Sequence, residues 1–438
     1  MSELIQKISG LMWGPWLLIL LFGTHIFLTF KLRLVQRLIV FKGIPFTFKR
    51  TKGKGEISPF SSLMTSLAAT VGTGNLVGVS AAVAAGGPGA VLWMWLTGVF
   101  GMATKYAESF LSVKYRVERK DGSFQGGAMV VLEHRLGKKG LAIFFALMTV
   151  LASFGIGNMV QSNSLAEMAN ASFGISPWVT GVVLMILTGL VLLGGIRSIA
   201  GACDAIVPSM AIFYVLSCIV LLVLGRSTLL DSALLILKSA FSGHAVVGGF
   251  AGAGIREAIR FGVSRGLFSN ESGMGSAPIV ASAANAPSPY YQGLVSATGT
   301  FWDTVVICLM TGLVIVNSGQ WVSGAAGAEL TAMAFEGFPV LGASMLTISL
   351  AMFVFSTILG WYYYGEQALI YLTNGKGVQL FRVSWIILLL VGAVNSLNTV
   401  WAFADIANVL MVIPNLISIW LLSGELAKDT QEAEKQGL

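Results

Sequence analysis

Residues 69–78 read ATVGTGNLVG, which sets Gly72, Thr73, Gly74 and Asn75 side by side inside an apolar run from 58 to 86. Each glycine costs about 1 kcal/mol against alanine in a helix interior. Any peptide group released by unwinding must also find a partner, because hydrocarbon offers none. Such an interruption is expected only where it lines a cavity with a task. Freed N–H groups at the start of a half-helix carry partial positive charge and can hold a carboxylate. Freed carbonyls at the end of the other half are hard oxygen ligands for Na+ or an ammonium group. Glycine lets a ligand approach the backbone closely, so a zwitterion and a small cation could be gripped without an ionised side chain.

A second cluster, GGFAGAG at 248–254, lies five apolar runs further on. Glycines in membrane helices are often close-packing devices, and with 52 of them in the chain that alternative stands for GGFAGAG. It fits VGTGN less well, because Thr73 and Asn75 add hydrogen-bonding groups that packing does not need.

The elements that must position these residues are membrane helices. The 438 residues are 55% hydrophobic and only 11% charged, with mean hydropathy +0.80, whereas soluble domains carry about 25% charged residues. Runs of about 20 apolar residues are long enough to cross the bilayer as helices, and the shorter alternating segments of a membrane barrel are absent from the sequence. Eleven spans are expected, at about 11–30, 58–86, 89–113, 140–168, 177–196, 205–225, 232–262, 291–316, 340–372, 383–399 and 402–424. Lys and Arg concentrate in the loops after spans one, three, five, seven and nine, which places the N-terminus outside and the C-terminus in the cytoplasm. The first run lacks a small-residue cleavage site, so no cleaved signal peptide is expected. The chain reads as one membrane domain: an extra helix at 11–30, five-span halves at 58–225 and 232–424, and a cytoplasmic tail at 425–438. Spans two and seven run in opposite directions and each is interrupted, the sequence pointer to an inverted-repeat secondary transporter with its site at the bilayer midplane.

Other classes find little support. Cys203, Cys218 and Cys308 lie in or beside apolar runs and read as packing residues. His25, His134 and His244 fall in no metal-binding pattern. The net charge of +7 comes from residues flanking spans, so it reflects topology and no nucleic-acid partner is expected.

Three motifs carry a resemblance. GGPGAVLWMWLTGVFG at 86–101, GLFSNESGMGSAP at 266–278 and VGTGN at 71–75 resemble the alanine or glycine:cation symporter family, whose fold is LeuT-like and preceded by one extra helix. Leu92 and Gly98 depart from its pattern, where Phe and a slightly larger residue are expected, and neither is expected to touch the site. The resemblance implies an all-α polytopic protein of the prokaryotic inner membrane that imports a small neutral amino acid (glycine, L-alanine or D-alanine) with Na+ as coupling ion and no cofactor. It implies that Thr73, Gly74 and Asn75 bind the carboxylate. Phe250 and Gly252 complete the pocket, Gln161 contacts substrate and Trp361 limits side-chain size. It also implies a sodium site made by the hydroxyls of Ser356 and Thr357 with the carbonyls of Ala68 and Val71. The alternative for both hydroxyls is a bond back to their own helix. Of the acidic residues Glu108, Glu167, Asp204, Glu257, Glu271, Asp303, Glu366 and Asp405, only Asp303, deepest in span eight, could support proton coupling instead. A proton-coupled carrier is therefore the rival reading. A channel lacks a filter sequence, and a membrane enzyme lacks a catalytic constellation.

Overall fold

The computed structural model describes residues 2–241, 254–337, 342–395 and 398–436. The chain is almost entirely helical, with one small hairpin of β1 (Val117–Glu118) and β2 (Phe124–Gln125) between the third and fourth spans. In chain order the main helices are α1 (Ser2–Met12), α2 (Pro15–Lys31), α3 (Pro59–Thr70), α4 (Val79–Gly86), α5 (Ala90–Lys114), α6 (Lys139–Phe154), α7 (Val160–Phe173), α8 (Pro177–Leu192) and α9 (Gly195–Leu224). There follow α10 (Arg226–Phe241), α11 (Ile255–Asn270), α12 (Pro289–Thr300), α13 (Leu309–Asn317), α14 (Gly327–Phe335), α15 (Gly342–Thr373), α16 (Val378–Val394) and α17 (Asn398–Lys435).

Helix starts follow local chemistry. Pro59 and Pro289 each sit at a first helical position, where the missing N–H is no loss. The hydroxyls of Ser58 and Ser288 accept the orphan N–H groups of Ser61 at 2.9 Å and Tyr291 at 3.2 Å. Among the described residues, five helices are long and apolar enough to cross a membrane, and seven are when two sharply bent pairs are counted as single spans. Helices α8 and α16 are apolar but shorter, and the 25-residue α5 carries Lys105 and Glu108 in its interior. Outward faces of α8, α9 and α16 expose Leu187, Leu190, Leu224, Leu380 and Ile387, an apolar surface suited to lipid.

One apolar cluster surrounds the first broken span and Trp361. A second joins Leu17, Leu21 and Leu28 of α2 to Tyr106 and Phe110 of α5 and to Leu416 and Ile419 of α17. The extra N-terminal helix is thereby packed onto the bundle, and His25 shares a hydrogen bond of 2.7 Å with Thr104.

Two segments depart from the sequence reading. The run expected as one span at 232–262 is two helices: α10 ends at Phe241 and α11 starts at Ile255. GGFAGAG, with Phe250 and Gly252, lies outside the described residues except for its last glycine, the extended Gly254 that precedes α11. The charged end after 424 is helical: α17 continues to Lys435, held by Lys114 and Arg135 on Glu425 and by Arg37 on Glu434.

Candidate functional site

The expected interruption of span two is present. Helix α3 stops at Thr70, Val71 is extended (φ −77°, ψ 96°), and the chain resumes as a widened turn at Gly74–Gly78 that runs into α4. The two halves diverge by 54°. Asn75 explains the break chemically. In an unbroken helix the Gly72 N–H would bond the Ala68 carbonyl; here it donates to Asn75 Oδ1 at 2.9 Å. The other end of the same amide donates to Asp303 Oδ1 at 2.8 Å. Asn75 is completely buried, so its side chain is committed on both sides to holding the turn.

Asp303 lies in a second widened turn, Phe301–Cys308, between α12 and α13. Its other carboxylate oxygen accepts from Ser269 of α11 at 2.9 Å and from Thr304 at 2.6 Å. Spans two, seven and eight are thereby tied by one buried polar knot. Gly98 packs against the edge of this knot without touching the expected site residues. A Cβ there would lie 2.8 Å from Thr304 Cγ2, so this helix has no room for a larger residue facing the knot.

On the opposite side of the break, three expected residues converge. A Cβ on Gly72 would lie 2.8 Å from Thr357 Oγ1, closer than a side chain tolerates, and 3.7 Å from Gln161 Oε1, an ordinary contact, so glycine is what lets α15 approach the turn this closely. Gln161 Nε2 donates to the Ile156 carbonyl at 2.9 Å and stands 3.5 Å from Thr73 Oγ1. That carbonyl belongs to a third widened turn, Gly155–Met159, which splits span four. In the same turn Gly157 faces Trp361, whose Cβ would be 2.1 Å from a Cβ placed on it. Gln161 Oε1 and Trp361 Nε1 are both buried and have no hydrogen-bond partner among the described residues. Buried polar atoms of this kind are rare in folded proteins and each calls for an explanation such as a ligand or water.

Ser356 and Thr357 both donate to the Phe353 carbonyl, at 2.9 and 2.8 Å. Thr357 Oγ1 also lies 3.4 Å from the Val71 carbonyl across the helix interface, while Ser356 Oγ faces Met210 Sδ at 3.5 Å. Hard cations take oxygen ligands at ~2.3–2.6 Å, and two such ligands at a right angle stand ~3.4 Å apart. Thr357 and Val71 have that spacing.

The GLFSNESGMGSAP run serves a different place. Gly273 and Gly275 adopt left-handed φ of 88° and 81° and turn their N–H groups onto Glu108 Oε2 at 3.1 and 3.2 Å, where Asn415 adds a third donor at 2.9 Å. Glu108 also faces Lys105 at 3.4 Å. Both side chains are buried.

Sequence reasoning passed over Ser269 and the turn at Gly155–Met159, and it read Cys308 as packing, whereas its Sγ lies 3.3 Å from Asn75 Nδ2 and 3.2 Å from Ser269 Oγ. The pair Gly155 and Gly157 was the available signal for that turn. For Phe301–Cys308 no signal existed, since FWDTVVIC contains no glycine or proline.

A model of the sodium:alanine symporter family matches residues 1–437. The sodium/alanine symporter AgcS of Methanococcus maripaludis is 46% identical over 98% of this chain and 96% of its own length. A transporter of Haemophilus influenzae without an assigned role is likewise 46% identical, over 98% and 96%. Among solved structures, MhsT in complex with L-phenylalanine superposes with a TM-score of 0.59 at 16% identity, covering 85% of this chain and 90% of that one. That likeness establishes a fold shared with LeuT-type transporters.

Proposed function

Because the chain belongs to the sodium:alanine symporter family, we propose that it is a sodium-driven importer of a small neutral amino acid, alanine or glycine, working by alternating access. The observation that carries this reading is the meeting of the broken helix with Gln161, Thr357 and Trp361, where an acceptor and a donor are buried without partners among the described residues. The substrate carboxylate lies at the start of the Gly74–Gly86 half, whose helix dipole favours an anion. Thr73 and Gly74 line it, and Gln161 Oε1 accepts from the ammonium. Trp361 closes the side-chain end and restricts size, with Phe250 and Gly252 as the facing wall. Asn75 acts here as the residue that shapes the turn.

Sodium, carried as co-substrate, binds between Val71 and Thr357, with the Ala68 carbonyl and Ser356 completing the shell. An ion there bridges α3 and α15 and so favours whichever state brings them together. It shifts that equilibrium only by its differential affinity for the two states. One charge moving through about 100 mV supplies about 2.3 kcal/mol, enough for roughly fifty-fold accumulation. The basic loops favour an outside N-terminus and a cytoplasmic C-terminus in a prokaryotic inner membrane.

Uptake of labelled alanine into proteoliposomes under an imposed sodium gradient is the test. Replacing Na+ by choline at fixed pH should abolish concentrative uptake, and Gln161→Ala should raise the KM for alanine. Uptake that persists in choline would overturn sodium coupling. It would favour the second reading, proton coupling, for which the buried Asp303 beside Asn75 is the motivating observation; Asp303→Asn would then abolish pH-driven uptake.

A further inference from the structure

An apolar groove of about 480 Å³ opens on the outer surface of the bundle beside the broken helix. Its wall includes Phe48, Leu63, Val71, Pro208, Ala211 and Trp302. The volume lies within the ~300–1,000 Å³ typical of pockets that hold small molecules. Three features distinguish it from the convex surface that merely faces lipid.

It reaches the hinge itself. Val71 is the extended residue at the end of α3, and Trp302 stands in the widened turn whose next residue, Asp303, holds Asn75. Pro208, inside α9, has no N–H to give the preceding turn, which loosens the helix wall at that level.

Its mouth is framed by a segment that lies across the membrane direction. The stretch Gln36–Thr47 is bent by 80° from α2, so if α2 crosses the bilayer this segment runs near the membrane plane. Thr47 and Phe48 at its end line the groove, and Phe41 and Phe48 are 78% and 72% exposed, as in helices that rest at the interface.

The segment that leaves the groove is cationic. Lys49, Arg50 and Lys52 come just after Phe48 and are exposed; Lys49 Nζ stands 5.3 Å from the Phe46 ring centroid, and none of the three forms an ion pair among the described residues. Basic residues beside a membrane surface attract anionic headgroups.

We propose that this groove binds one acyl chain of an anionic phospholipid, with its headgroup held by Lys49, Arg50 and Lys52, so that a lipid stands against the hinge of the broken helix. Apolar depth and the cationic segment beside it together select the occupant: a neutral lipid satisfies the wall but leaves those charges without an anion, and a free phosphate does the reverse. The bound chain supports Val71 and Trp302 from the lipid side while the transport site lies on the other, an assignment independent of which amino acid or ion is carried.

The test is native mass spectrometry of the full chain released from bilayers containing equal phosphatidylglycerol and phosphatidylcholine. Wild type should retain one phosphatidylglycerol with about ten-fold preference. Ala211→Trp, which fills the groove, should lose it. Leu216, which also lines the groove and is 54% exposed, gives in Leu216→Trp a second groove variant should the first fail to fold. The triple substitution Lys49→Gln, Arg50→Gln, Lys52→Gln should keep a lipid but lose the preference. Equal retention of both lipids by wild type would overturn the proposal. So would undiminished phosphatidylglycerol in a folded groove variant, because that would put the lipid elsewhere on the basic segment.

Discussion

Thr357 and Asn75 show how single side chains divide the labour at the break. Thr357 keeps its bond to the Phe353 carbonyl while presenting Oγ1 to Val71, so the hydroxyl is both helix-bonded and available to an ion. Thr357→Ser should therefore retain sodium dependence, whereas Thr357→Val should raise the sodium concentration for half-maximal uptake by at least about ten-fold, read from uptake against Na+ at fixed alanine. Asn75→Ala removes partners from Gly72 N–H and from Asp303. Leaving buried polar groups unpaired costs ~1–3 kcal/mol each; the variant should lose several degrees in Tm along with uptake, and a Tm equal to wild type would refute the double role. The break itself was legible because Gly, Thr, Gly and Asn stand against an apolar background. The choice between ion ligand and back-bonded hydroxyl was not, since Ser356 and Thr357 satisfy both patterns on any helix.

Among the elements, the widened turns decide where helices touch. Gly155–Met159 lets span four press against Trp361, and Gly157 is the contact point. Gly157→Ala should force α15 away from the turn, costing ~1–3 kcal/mol from overpacking and reducing alanine uptake. A double variant Gly157→Ala, Trp361→Phe should not recover it, because the clash is with Trp361 Cβ, which Phe keeps. Hydropathy located most helices to within a few residues, but it merged α10 with the span that follows. Leu229, Leu230, Leu234, Leu235 and Leu237 make α10 apolar enough to read as part of a crossing. What sets it apart is its packing across α5, with Trp93 Nε1 donating to the Ala240 carbonyl at 3.1 Å, a tertiary fact that no window of sequence contains. The turn at Phe301–Cys308 escaped for the same reason.

At the scale of the molecule, α17 ties distant loops together beyond the membrane. Burial alone would raise the Glu425 carboxyl, but hydrogen bonds from Lys114, Tyr115 and Arg135 outweigh it and hold it down at about 2, below the ordinary carboxylate range. A carboxyl lowered on folding contributes stability that is fully present above about 4.5 and is lost as pH falls toward about 2. Thermal unfolding should thus show a steeper loss of Tm below pH 4.5 in wild type than in Glu425→Gln, and parallel curves would remove the clamp from the account. The two-sided grip of Asn75 has a mechanical corollary. Gly72 and Asp303 hang on one amide, so the kink of span two and the bulge of span eight form a single joint and must swing together. A short chemical tether between those two segments should leave turnover untouched, whereas one joining Val71 to the Thr357 helix should freeze the carrier in a single posture.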